Sequence, residues 1–260
     1  MTDQPVAIIS AGASGIGLSC ARALAAAGYR VLTLDINVEA VAAFEAEFGE
    51  GTAVVCDVSH PAQVETAFAS LMGACDRVDV LLNNAGIAGP QQPVEEIEVE
   101  AWQSTINTDL NSLFYLTRLV IPLMKLQRSG VILNMSSSAG RYGCPLRSPY
   151  VASKWAAIGL AQTWAMELGP WNIRVNVLCP GSVGGERIER VIQRDAEERG
   201  VSAEDIRTVY QRQSSLRDFA SAEDIAAMVC FLSGPGGRMV SGQTIGIDGH
   251  TESLANWLDP

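Results

Sequence analysis

Short apolar runs alternate along this chain with longer stretches whose apolar positions recur every three or four residues. Val6-Ala7-Ile8-Ile9, Arg30–Asp35, a run ending at Cys56-Asp57-Val58, Asp79–Leu82 and Val175–Cys179 are the strand candidates. Nearly continuous apolar runs of this length fit strands buried on both faces, as in a parallel sheet. Helical spacing covers 15–27, 38–48, 61–74, 101–127, 149–169 and 222–232. Pro122 should bend the long fourth helix or remove one of its hydrogen bonds. The alternation runs unbroken to residue 180, with no linker, repeat or low-complexity tract. It predicts an α/β fold, a parallel sheet covered by helices, in one domain spanning residues 1–260.

The segment 182–219 leaves that rhythm. It mixes seven arginines with eight acidic residues, and Ile188, Val191 and Ile192 mark one amphipathic stretch. A lid over a substrate is one reading. A solvated helical insertion is the other, and mixed-sign charge runs usually are that.

The polar residues that punctuate the strand ends carry the chemistry. Ser10-Ala11-Gly12-Ala13-Ser14-Gly15-Ile16-Gly17 joins the first strand to the first helix. Glycines there let backbone approach a pyrophosphate, and the helix start offers it unpaired N–H groups. The alternative is a tight turn with no ligand. Asp35 ends the second strand, where a carboxylate can accept from both ribose hydroxyls and repel a 2′-phosphate. Ile36 and Asn37 follow, with no adjacent arginine, so NAD is expected rather than NADP. Farther on, Tyr150 and Lys154 stand four apart, on one face of a helix, with Ser137 thirteen residues upstream of Tyr150. A tyrosine hydroxyl ordinarily keeps its proton to about pH 10. A neighbouring ammonium favours the phenolate and suits the group to acid/base work.

With Asp57-Val58, Asn83-Asn84-Ala85-Gly86, Pro180-Gly181 and Ser241-Gly242-Gln243 … Asp248-Gly249 added, the chain resembles the short-chain dehydrogenases/reductases from Val6 to about Gly249. The resemblance implies a Rossmann-like, doubly wound, seven-stranded parallel sheet with helices on both faces. It implies hydride transfer between a nicotinamide and a carbinol or carbonyl carbon. Tyr150 would be the acid/base, Lys154 its tuner and ribose anchor, and Ser137 the positioning hydroxyl. The implied cofactor set is Ser10, Gly12, Ser14, Gly15, Ile16, Gly17, Asp35, Asp57, Val58, Asn84, Ala85, Gly86, Tyr150, Lys154, Pro180, Gly181 and Val183.

Three positions depart from the family pattern. Ser10-Ala11 replaces Thr-Gly, which suits the turn if φ at Ala11 is negative. Asp109 stands where the family has an Asn that supports a relay water near the lysine. Ser182-Val183-Gly184-Gly185 lacks the usual threonine that contacts the nicotinamide amide. The resemblance also makes helices 101–127 and 149–169 a dimer face, within a homodimer or homotetramer. Their Trp102, Leu110, Leu113, Phe114, Leu116, Trp155, Leu160 and Trp164 exceed what one sheet face needs, although core packing would use such residues too.

Charge narrows the partners. The 260 residues carry a net charge of −11, which disfavours nucleic acid and anionic membranes. No apolar run reaches the roughly 18 residues of a membrane span. Six scattered cysteines without CxxC spacing suggest reduced thiols in a cytoplasmic protein. His60 and His250 are the only histidines and form no metal-ligand cluster, so no metal is expected. Arg147, Arg187 and Arg190 flank the tyrosine and the start of the polar segment, with Arg141 nearby. Such a set suits an anionic substrate, unless the arginines pair with Glu186 and Glu189. Neutral polyols, sugars, steroids and 3-oxoacyl or 3-hydroxyacyl thioesters are the other substrate classes. A non-catalytic NAD sensor on the same fold and an epimerase or dehydratase are the remaining alternatives. The Ser137–Tyr150–Lys154 set opposes the first, and the length leaves no room for the substrate domain of the second.

Overall fold

The computed structural model describes residues 4–73 and 75–254. Its sheet holds β1 (Val6–Ser10), β2 (Arg30–Asp35), β3 (Ala53–Val55), β4 (Val80–Asn83), β5 (Gly130–Met135), β6 (Ile173–Pro180) and β7 (Thr244–Ile247). All pairings are parallel, in the order β3-β2-β1-β4-β5-β6-β7. The chain reverses direction across the sheet between β1 and β4, the crevice where open α/β sheets take ligands.

The strands alternate their contacts because successive side chains point to opposite faces. Ile8, Leu81, Ile132 and Val175 meet α3 (Pro61–Met72), α5 (Ser112–Gln127) and α6 (Ser148–Leu168) in one core. Ile9, Leu82, Leu133 and Leu178 meet α1 (Gly15–Ala26), α2 (Val38–Phe48) and α9 (Ala222–Ser233) in the other. The predicted end of the third helix at residue 74 lies outside the described residues.

The long helix predicted over 101–127 is not one regular helix. α4 (Val99–Ile106) passes through a π-helical turn, Asn107–Asn111, into α5. Pro122 does not end α5, which continues to Gln127. The irregularity falls instead at the turn that buries Asp109, and π turns of this kind often mark functional sites. Segment 182–219 folds into α7 (Glu186–Arg199) and α8 (Ala203–Arg212). These two helices share a small core of Ile188, Ile192, Ala196 and Ile206, to which Tyr210 and Phe219 add. One amphipathic stretch was legible there; the hairpin was not.

Candidate active site

The turn after β1 is built around backbone contacts. Gly12 N donates to Thr33 Oγ1 at 2.9 Å, and a side chain at Gly12 would strike that oxygen. Ser10 Oγ accepts from Asn84 N at 2.9 Å and Ala85 N at 3.0 Å, stapling the ends of β1 and β4. Serine therefore keeps the hydroxyl this joint requires. Asn84 Nδ2 donates to the Ala11 carbonyl at 3.0 Å. Ala11 itself adopts φ 50, in the left-handed region, so the expectation of negative φ is corrected. Holding the staple and the turn together forces a conformation that glycine would enter more easily. Ser14 begins α1 without a side-chain cap, and Ser14 and Gly15 are exposed. The open N–H groups of α1 thus fit a pyrophosphate.

Asp35 is buried at the end of β2. Its Oδ2 accepts from Ala13 N at 3.1 Å and its Oδ1 from Asn37 N at 3.0 Å. Each oxygen retains a lone pair for a ribose hydroxyl. Asp57 holds its own loop, accepting from Ser59 N at 2.9 Å, and Val58 is buried beside it. At the far side, Gly181 N donates to Ile247 O at 3.1 Å, and Val183 bridges to Ala220. Pro180 ends β6, and its carbonyl accepts from Ser138 Oγ at 3.2 Å.

Tyr150 and Lys154 project from the first turns of α6. The Lys154 ammonium lies 5.4 Å from the Tyr150 ring centre and donates to Met135 O at 3.2 Å. Lys154 is buried, and Asp109 Oδ2 stands 3.8 Å from it. Asp109 Oδ1 accepts from Ile87 N at 2.7 Å, while Oδ2 is buried with no hydrogen bond among the described residues. Burial holds the Asp109 carboxyl above its ordinary range, against the pull of Lys154, the Ile87 N–H, Arg187 and Arg147. Gly86 leaves room for this pair, because a side chain there would stand 3.2 Å from Lys154 Nζ. Ser137 follows β5, its Oγ accepting from Ala139 N at 3.2 Å. Next to it, Ser136 Oγ donates to the Lys154 carbonyl at 2.8 Å, fixing α6 against the sheet end.

A family profile described as enoyl-(acyl carrier protein) reductase matches residues 10–250. The chain belongs to the short-chain dehydrogenase/reductase family. It is 36% identical over 248 residues to the 3-oxoacyl-[acyl-carrier-protein] reductase FabG of Thermotoga maritima, covering 94% of this chain and 96% of that protein. It is 34% identical to a 2-dehydro-3-deoxy-L-rhamnonate dehydrogenase (NAD(+)) of Sphingomonas sp., covering 87% of each. Among solved structures, NAD+-bound xylitol dehydrogenase matches with a TM-score of 0.86 at 29% identity, over 94% of this chain and 97% of that one. A variant of actinorhodin polyketide ketoreductase with NADPH matches at 0.89 and 30%, over 98% of both. The protein is therefore an oxidoreductase of CH–OH groups and the matching carbonyls, and a nicotinamide cofactor goes with the family.

The arginines of this dehydrogenase divide in a way the sequence did not reveal. Arg190 pairs with Glu186 at 3.5 Å on the exposed side of α7, so it is not a free anion contact. Arg147 Nη2 donates to Ala88 O at 2.9 Å, and its guanidinium lies 4.8 Å from the Tyr150 ring centre. Only part of the expected free fork remains at Arg147. Arg187, on the first turn of α7, has no hydrogen bond or ion pair with a described residue, yet its charge acts on Asp109. Sequence reasoning missed Ser136 and Ser138, although both sit in the Ser136-Ser137-Ser138 run. It also missed Gln91, which donates to the buried Asp195 at 3.3 Å and ties α7 to the β4 loop. Nothing in local periodicity marks Gln91, since its partner lies over a hundred residues away.

Proposed function

We propose that this enzyme is an NAD-linked dehydrogenase that interconverts a secondary alcohol and a ketone, with Tyr150 as the proton-transfer group. The arrangement around Tyr150 carries the reading: two cations flank its ring, one braced by Met135 O and the other by Ala88 O. Bound NAD supplies the hydride acceptor. Tyr150 takes the hydroxyl proton of the alcohol, and Ser137 positions the same oxygen. Lys154 stands beside the Tyr150 ring and anchors the cofactor ribose. Asp109 supports Lys154 in place of the family's Asn.

The cofactor-binding set follows from the same reading. The turn from Ser10 through Gly12, Ser14, Gly15 and Ile16 to Gly17 cradles the pyrophosphate. Asp35 selects NAD by its charge. Asp57 and Val58 face the adenine end. Asn84, Ala85, Gly86, Pro180, Gly181 and Val183 line the nicotinamide end. The α7–α8 hairpin acts as the lid. Six unpaired thiols support a cytoplasmic location, with burial raising Cys20 to about 12 and Cys56 to about 11. No helix among the described residues is long and apolar enough to cross a membrane.

An absorbance screen for NADH across hydroxy acids, hydroxysulfonates, polyols, sugars and sterols tests the reading. Stoichiometric NADH formation with one of them is expected. Failure of every class to reduce NAD, with cofactor binding demonstrated, would leave a non-catalytic NAD sensor.

A further inference from the structure

Gln91, half-buried in the loop after β4, reaches α7 twice. Its Nε2 donates to Asp195 Oδ1 at 3.3 Å, and its Oε1 accepts from Arg194. A guanidinium can only donate and a carboxylate can only accept, so this joint needs one side chain that does both, as a primary amide does. Asp195 is 1% exposed, and its other oxygen accepts from Tyr210 of α8 at 2.9 Å. Removing the amide would leave a buried carboxylate oxygen without its partner, which native proteins avoid.

The loop that presents Gln91 is itself fixed to the surroundings of Tyr150. Ile87 N donates to Asp109 Oδ1 at 2.7 Å, Arg147 Nη2 to Ala88 O at 2.9 Å, and Gln92 N to Leu146 O at 3.0 Å. The hairpin, by contrast, is anchored at its ends. Ala220 N donates to Ser182 O at 3.0 Å and Gly184 N to Ala220 O at 2.8 Å, closing the base. Beyond α8, Ser215 N donates to His250 O at 3.0 Å. Gly185, at φ 131, turns the chain into α7. Between these anchors, Glu186 pairs with Arg190, Glu198 with Arg194, and Glu189 with Arg207, all inside the hairpin. A body with its own core and its own ion pairs, hinged at its ends, swings as a unit unless something between the hinges holds it.

We infer that Gln91 is a positioning residue that latches the α7–α8 hairpin over the substrate, and that loop 87–92 registers the closed hairpin against Tyr150 and Asp109. The inference rests on reading the hairpin as the lid and adds what holds it shut. Opening breaks both hydrogen bonds of the Gln91 amide together and wets Asp195, so the closed arrangement is favoured without being locked. Gln91 touches no reacting atom; it acts through the hairpin. Its loss therefore falls on the binding of the alcohol, while the cofactor cradle on β1 and β2 is left as it was.

Two measurements test it. The first is backbone hydrogen exchange of the ligand-free protein, compared between wild type and Gln91→Leu, which keeps the bulk and removes both hydrogen bonds. Amides of α7 and α8 should exchange about 10–100-fold faster, with β1, β4 and β5 unchanged. Asp195→Asn, which can still accept from Gln91, should accelerate them less. Unchanged exchange in the hairpin, or acceleration shared equally by the sheet, would refute the latch. The second measurement takes whichever of 3-hydroxybutyrate, xylitol or cyclohexanol reduces NAD most efficiently. Gln91→Leu should lower kcat/KM about 10–100-fold, mainly through KM, with the Kd for NADH unchanged. Faster hairpin exchange with wild-type KM would keep the latch and overturn the hairpin as a lid. If no alcohol reduces NAD, the dehydrogenase reading fails, and the exchange measurement still decides whether Gln91 holds the hairpin.

Discussion

Tyr150 meets Lys154 on one side and Arg147 on another, and Lys154 meets Asp109. The proposed chemistry depends on this short chain of charges. Tyr150→Phe keeps the ring between its cations and removes only the hydroxyl. It should lower turnover by at least about 10², with NAD affinity retained. Wild-type turnover on a verified substrate would remove Tyr150 from the proton transfer. Asp109→Asn tests the next link. Burial raises the Asp109 carboxyl, so wild-type kcat/KM should carry an additional ionisation above the usual carboxylate range. Asn cannot titrate, so that ionisation should vanish in the variant. Loss of an anion also eases proton release from its neighbours, which should move the remaining limb to lower pH. Superimposable pH profiles would show that only the backbone of residue 109 serves the site.

At the scale of elements, the β1–α1 turn shows where a residue and its backbone disagree. Ala11 at φ 50 occupies a region that disfavours L-residues by about 1–2 kcal/mol. Ala11→Gly should raise the thermal midpoint, by up to about 1 kcal/mol of stability, with the cofactor Kd little changed. A lower midpoint would mean that packing of the Ala11 methyl outweighs the strain. The turn was legible in sequence from its small residues in fixed order; its φ was not, since the hydrogen bond to the Ala11 carbonyl comes from Asn84, just past the distant strand β4. β5 and β7 were also invisible as separate patterns. Only Arg128 and Ser129 divide α5 from β5, so helical and strand periodicities run together. β7 is four residues long, half-buried and interrupted by Gly246. The family resemblance supplied the count of seven strands that periodicity could not. Arg187 could not be told from the paired Arg190, because both are exposed on α7 and ion pairing there depends on how the side chains settle, not on residue order.

For the whole molecule, cofactor choice and assembly are the properties to measure. If Asp35 meets the adenosine ribose as proposed, its charge opposes a 2′-phosphate, and kcat/KM for NAD should exceed that for NADP at least tenfold, about 1.4 kcal/mol. Asp35→Ala with Ile36→Arg should narrow or reverse the ratio. Equal wild-type efficiencies would show that Asp35 serves only its backbone contacts. Phe114 and Trp155 are 52% and 51% exposed on α5 and α6, whereas Leu113 and Leu116 are buried. If the first pair forms the dimer face that the resemblance implies, Phe114→Glu with Trp155→Glu should lower the mass seen by light scattering. An unchanged mass would place assembly on another surface. The small core of the α7–α8 hairpin has a consequence of a different kind. Its Ile188, Ile192, Ala196 and Ile206 belong to neither of the two cores under the sheet. Mutations in the hairpin can therefore accumulate with little penalty to the sheet, the cofactor cradle or Tyr150. If the hairpin covers the substrate as proposed, a lineage can explore new substrates by rewriting this one appendage, and an engineer can graft a foreign hairpin here to redirect the enzyme while the sheet is inherited intact.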